Sequence, residues 1–127
     1  MTQANQSLLI DNFTLSYKTE SGEFRVLENI DLGIARGEVV GLVGESGSGK
    51  STIATAIMQA VQGKIATKSG EILLGDTDLS GLTSDQLNAI RGNRISMVFQ
   101  DAGASLNPTL ALGEHVIQVL RRHHSMN

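Results

Sequence analysis

Apolar and polar residues alternate through the first part of the chain. Leu8 and Ile10 share one phase, whereas Phe13, Leu15 and Tyr17 share the other, the change falling at Asp11-Asn12. Alternation marks a half-buried strand, and a phase change within it marks a bulge, so residues 7–17 are predicted as one bulged strand. Lys18 to Glu23, with Thr19, Ser21 and Gly22, reads as a polar turn. Phe24–Leu27 and Ile30–Ile34 continue as short alternating strands, and Arg36-Gly37 turns the chain. The mostly apolar run Val39–Val43 then predicts a buried strand, and Thr52–Val61 a helix. Gln62 to Ser69 reads as a polar loop and Gly70–Leu74 as a strand stopped by Gly75-Asp76. Thr83-Ser84-Asp85-Gln86 resembles a capping box opening a short helix through Ile90. Arg94–Phe99 is a second candidate core strand, followed by an irregular stretch from Asp101 to Pro108. Leu112, Val116, Val119 and Leu120 fall at i, i+4, i+7 and i+8 of a terminal helix. The pattern as a whole predicts an antiparallel sheet abutting an α/β unit.

Between the predicted strand and helix lies Gly44-Glu45-Ser46-Gly47-Ser48-Gly49-Lys50-Ser51-Thr52. Gly44, Gly49, Lys50 and Ser51 occupy the fixed places of the phosphate-binding loop G-x-x-x-x-G-K-[ST]. Its chemistry requires a strand, a glycine loop and a helix in that order. Glycines admit backbone conformations closed to other residues and let N–H groups approach a phosphate. The helix start adds unpaired donors and the positive end of a dipole. Lys50 supplies an ammonium for terminal phosphates, and the Ser51 hydroxyl is placed to ligate Mg²⁺. The plain alternative, a glycine-rich turn with an accidental lysine, does not account for the flanking strand and helix.

Composition narrows the setting. A length of 127 residues suits one small domain or part of a larger one, and 40% hydrophobic content with a mean hydropathy of −0.01 is that of an ordinary soluble protein. A net charge of −3 argues against nucleic acid as the main partner. Without cysteine there are no disulfides or thiolate metal sites, which fits a reducing compartment. No apolar run approaches the ~18 residues of a membrane span, and the N-terminus lacks the basic start and apolar stretch of a signal peptide. A cytosolic chain without direct membrane insertion is expected, any membrane association coming through a partner. The His123-His124 pair after Arg121-Arg122 is read as solvated cations suited to a helix C-terminus, not as a metal site.

Three stretches in order carry a family resemblance: Gly44–Thr52, Arg94-Ile95-Ser96-Met97-Val98-Phe99-Gln100, and Ser105-Leu106-Asn107-Pro108. Over nearly all its length the chain resembles the N-terminal half of an ABC transporter nucleotide-binding domain, above all the ATPase subunits of dipeptide, oligopeptide and nickel importers. The resemblance implies an α/β, ABC-type P-loop NTPase core with an N-terminal antiparallel β subdomain. That subdomain would occupy mainly 7–37 and 70–80, the P-loop core 38–62 and 94–100, and the start of a helical subdomain 109–127. It also implies ATP and Mg²⁺ as ligands, with Tyr17 stacking on adenine and Ser51 and Gln100 at the metal. Gln100 would sit in the Q-loop, reaching Mg²⁺ or the attacking water and passing nucleotide state to the membrane subunit. Implied partners are transmembrane permease subunits and a second ATP-binding subunit, on the cytoplasmic face of the plasma (inner) membrane. Ala102-Gly103-Ala104 stand where this group commonly has Pro-Met-Thr, so a looser Q-loop is expected.

The family's Leu-Ser-Gly-Gly-Gln signature, Walker B strand, catalytic glutamate and switch histidine do not occur in these 127 residues, which read as truncated ahead of them. The expectation is therefore ATP binding without turnover, in a chain that is poorly soluble or partly ordered by itself. Two other readings remain. One is a non-hydrolysing nucleotide-binding remnant that partners a full-length subunit. The other is a P-loop kinase or other small NTPase, against which the strands ahead of the loop speak.

Overall fold

The computed structural model describes residues 6–101, 103 and 106–123. They fall into two compact units, Met1–Leu82 and Thr83–Asn127. The first is built on an antiparallel sheet of β1 (Gln6–Thr19), β2 (Gly22–Ala35), β3 (Ile65–Leu74) and the two-residue β4 (Thr77–Asp78), in the order β2-β1-β3-β4. One helix, α1 (Lys50–Ile57), lies against β2.

The phase change foreseen at Asp11-Asn12 is a bulge. Asn12 takes a left-handed φ of 46°, and the β1 register shifts against both neighbours at that point. Across from it, β2 is a single strand with its own left-handed residue, Asn29, at φ 48°. The displaced polar groups pair with each other: the Asn12 amide donates to Asp31 Oδ1 at 2.7 Å, and the Asn29 amide to Thr14 Oγ1 at 3.0 Å. The extra residue rotates the strand so that Leu8 and Ile10 before the bulge, and Phe13 and Leu15 after it, all point into one core. Leu27 and Ile72 from the sheet, Leu79 just after β4, and Ile53 and Ala56 from α1 are buried with them.

Strand β3 begins five residues earlier than the sequence predicts. Ile65 to Ser69 are mostly exposed and polar, but their backbone pairs with β1 from Tyr17 to Thr14. Helix α1 is also displaced, starting at Lys50 and ending at Ile57 instead of running to Val61. Gln59 is left-handed (φ 49°); its amide bonds to Ala56 O and that of Ala60 to Thr55 O, both at 2.9 Å, forming a Schellman stop.

Two predicted strands are absent. Val39–Val43 has no regular secondary structure, with Val39 95% and Val43 92% exposed, and Arg94–Phe99 shows only an isolated bridge between Arg91 and Ile95. A strand persists only where a neighbour satisfies its backbone N–H and C=O groups, and neither run has a ladder partner among the described residues.

The second unit holds α2 (Ser84–Ile90) and α3 (Leu112–His123). The expected capping box opens α2. Thr83 Oγ1 accepts from the Gln86 amide at 3.4 Å, while Gln86 Oε1 accepts from the Thr83 amide at 2.9 Å. Ahead of α3, Asn107 Oδ1 accepts from the Thr109 amide at 3.0 Å, closing a turn at Asn107-Pro108. The apolar stripe of α3 is present and exposed.

Candidate nucleotide-binding site

The site is assembled where β2 hands the chain to α1. Gly49 is the pivot. It is buried, it is the N-cap of α1, and it stands at φ 90°, ψ 2°. A methyl carbon there would lie 2.9 Å from Leu27 Cδ2 and 3.3 Å from the Val26 carbonyl. Only glycine both adopts this conformation and lets the loop rest on β2. The Ile53 amide bonds to Gly49 O at 2.9 Å, so the helix is under way within its first turn. No side chain caps it and no acidic residue stands in that turn. The amides of Lys50, Ser51 and Thr52 are therefore donors of the kind a helix start offers to an anion.

The rest of the loop curls above this start. The Ser48 amide bonds to Glu45 O at 3.2 Å, and Gly47 holds φ 82°. Gly44 approaches the Ser48 hydroxyl so closely that a methyl carbon would stand 2.9 Å from its oxygen. Lys50 Nζ donates to Gly44 O at 2.8 Å, to Ser48 Oγ at 3.1 Å and, over a shorter contact, to Glu45 O. The ammonium is thus held by three oxygens of its own loop. Glu45 and Ser46 are exposed on the outer turn. Ser51 is exposed too, and its hydroxyl bonds to no protein group among the described residues. These residues fit a polyphosphate: open backbone donors, a cation already over the loop, and a hydroxyl free for Mg²⁺. One hydroxyl is a partial metal shell, which suits an ion that keeps waters and phosphate oxygens. No group of three or more His, Cys, Asp or Glu that could hold a metal exists among the described residues.

Tyr17 belongs to the same unit. It pairs with Phe24 on β2 and Ile65 on β3, and its ring is half-buried. Phe24 precedes Leu27, the seat of Gly49, by three residues, about 10 Å of strand. One strand thus carries the register of both the aromatic and the phosphate loop. Gln100 lies in the second unit, exposed and outside any strand. Of the small residues after it, Ala102 and Ala104 lie outside the described residues, as do Ser105 and His124. His115 Nε2 is 3.2 Å from Asn107 O within the second unit. Sequence reasoning missed Val26 and Leu27 as the seat of the loop, and Gly63, whose φ is 109° and which backs the Tyr17 ring. The signal was slight, a lone glycine in a polar stretch.

The ABC transporter family model matches residues 27–126. The chain is 35% identical over its full length to the oligopeptide transport ATP-binding protein OppD of Bacillus subtilis (strain 168), of which it covers 36%. It is 41% identical over 90% of its length to the probable D,D-dipeptide transport ATP-binding protein DdpD of Escherichia coli (strain K12), covering 35% of that protein. The chain thus spans about a third of the length of these relatives. Among solved structures it is similar to the ATP-binding cassette MJ0796 in a dimeric, post-hydrolysis state bound to ADP and Pi. That likeness has a TM-score of 0.77 and 29% identity, over 94% of this chain and 49% of the other.

Proposed function

Because the chain belongs to the ABC transporter family, we propose that it binds ATP with Mg²⁺ as part of the ATP-binding subunit of an importer for peptides or a related small solute. The observation that carries this is the uncapped helix start at Gly49, seated on Leu27 with Lys50 folded over it. In this reading the amides from Gly44 to Thr52 hold the phosphates. Lys50 leaves its loop oxygens for the terminal phosphates, Ser51 contributes a ligand to Mg²⁺, and Tyr17 stacks on the adenine. Gln100 is assigned to the metal or attacking water and to coupling with a membrane permease. Support for permease partners and for a second ATP-binding subunit comes from the relatives' transport names and from the dimeric cassette. The same names support a place on the cytoplasmic face of the membrane, and no helix among the described residues is long and apolar enough to cross one.

Bound Mg²⁺ would supply charge neutralisation at the phosphates. Phosphoryl transfer also needs a residue that orients or deprotonates water. No signature run or apolar run leading into Asp-Glu occurs in the 127 residues. These residues are therefore assigned binding without turnover. Titration of a fluorescent ATP analogue, with and without Mg²⁺, tests the reading. Saturable binding strengthened by Mg²⁺ supports it; no binding, or steady phosphate release that Lys50→Ala abolishes, contradicts it.

A further inference from the structure

The loop after α1 meets Tyr17 in a way that its polar composition does not announce. Gly63 has φ 109°, and a methyl carbon built on it would stand 3.4 Å from both Cδ1 and Cε1 of the Tyr17 ring. One residue on, Lys64 O accepts the Lys18 amide at 2.7 Å, and Ile65 then pairs with Tyr17 as β3 begins. The ring therefore has glycine backbone along one edge, and the segment making that contact is fastened to β1 beside the tyrosine. The same segment descends from α1, whose first residue is Lys50.

We propose that Gly63 is a positioning residue for nucleobase recognition: its backbone, pinned by the Lys18–Lys64 hydrogen bond, sets the pose in which Tyr17 presents its ring to adenine. The inference rests on the reading of Tyr17 as the base platform. A side chain at 63 would have to adopt a backbone conformation that L residues rarely take, and relief of that strain would shift the segment that lies in van der Waals contact with the ring. A displaced ring loses the parallel overlap on which stacking depends, whereas the phosphate loop, built on Gly49 and β2, is untouched.

Tyr17 is the chain's sole tyrosine and there is no tryptophan, so intrinsic fluorescence reports on this ring alone. The test titrates wild type and Gly63→Ala with ATP and with inorganic tripolyphosphate, which has no base. Gly22→Ala is the control: Gly22 has a comparable φ of 124°, but a methyl there meets nothing within 4 Å. Expected are quenching of wild type and Gly22→Ala by ATP, a lost quench and about tenfold weaker ATP binding in Gly63→Ala, and tripolyphosphate affinity unchanged in all three. Equal quenching and ATP affinity in a folded Gly63→Ala overturns the inference, as does an equal loss in Gly22→Ala. Absence of quenching in wild type overturns the platform reading itself, and this inference with it. Should Gly63→Ala not fold, hydrogen exchange of the Lys18 amide in wild type decides. Protection by ATP beyond that given by tripolyphosphate supports the seat; equal protection refutes it.

Discussion

The ammonium of Lys50 donates to the carbonyl of Gly44 at 2.8 Å, which places the loop's cation against the loop's own first glycine. Ser48 Oγ and Glu45 O hold it as well, so the charge that would meet a nucleotide's terminal phosphates also orders the loop beforehand. Lys50→Ala removes both effects. Charge-assisted hydrogen bonds are worth about 1.5–3 kcal/mol, so ATP affinity should fall about tenfold to a hundredfold. Equilibrium dialysis reads the first effect, and faster amide exchange from Gly44 to Ser48 reads the second.

Gly49 couples the loop to the sheet. In Gly49→Ala the new methyl meets Leu27 Cδ2 and the Val26 carbonyl while the residue is held at positive φ. The strain and overpacking should destabilise the fold by about 2–3 kcal/mol, visible as a lower thermal midpoint. Gly47→Ala, with nothing within 4 Å of its added methyl, carries only the backbone part and should cost less.

Stability should fall in acid partly through Glu23. Hydrogen bonds from the buried Ser16 hydroxyl, and after it from Thr67, hold the Glu23 carboxyl below its ordinary 4.5, with Arg25 adding a smaller pull. A carboxyl lowered on folding stabilises the native state above its unfolded value, and that contribution is lost as pH falls through the lowered one. Thermal midpoints followed downward through about pH 4.5 should decline, and Glu23→Gln should flatten that part of the curve. An identical acid limb in the variant contradicts the assignment.

Much of this architecture is legible in the sequence because local rules fix it. The change of phase at Asp11-Asn12 dictates a bulge, Thr83 and Gln86 dictate a capping box, and the glycine spacing from Gly44 to Lys50 dictates a tight turn into an uncapped helix start. What is not legible depends on partners. Val39–Val43 and Arg94–Phe99 are apolar enough for buried strands, but hydrophobicity records a preference for burial and does not supply a ladder neighbour. Ile65–Ser69 shows the converse, since an exposed polar segment becomes strand because β1 offers it a register. The stop of α1 turns on Gln59 in a left-handed conformation, which that residue type does not advertise. Gly63 matters only once Tyr17 lies beside it.

The exposed apolar runs have a solution consequence. Val39, Val43, Val98, Leu112, Val116 and Val119 are all more than half exposed. Such surfaces should bind a hydrophobic dye and drive concentration-dependent association. Val119→Glu should reduce both, measured by dye fluorescence and light scattering. A wild-type chain that binds no dye and stays monomeric at high concentration would show that these residues are covered in solution.

The backbone donors of Gly44–Thr52 are observed directly by amide NMR. On titration with MgATP, the resonances of Gly47, Gly49, Lys50 and Ser51 should shift together and saturably, and those of Gly47, Gly49 and Ser51 in Lys50→Ala should need about tenfold to a hundredfold more MgATP to do so. Unmoved loop amides at millimolar MgATP, or an equal titration midpoint in Lys50→Ala, would contradict the assignment of Gly44–Thr52 as a nucleotide phosphate site.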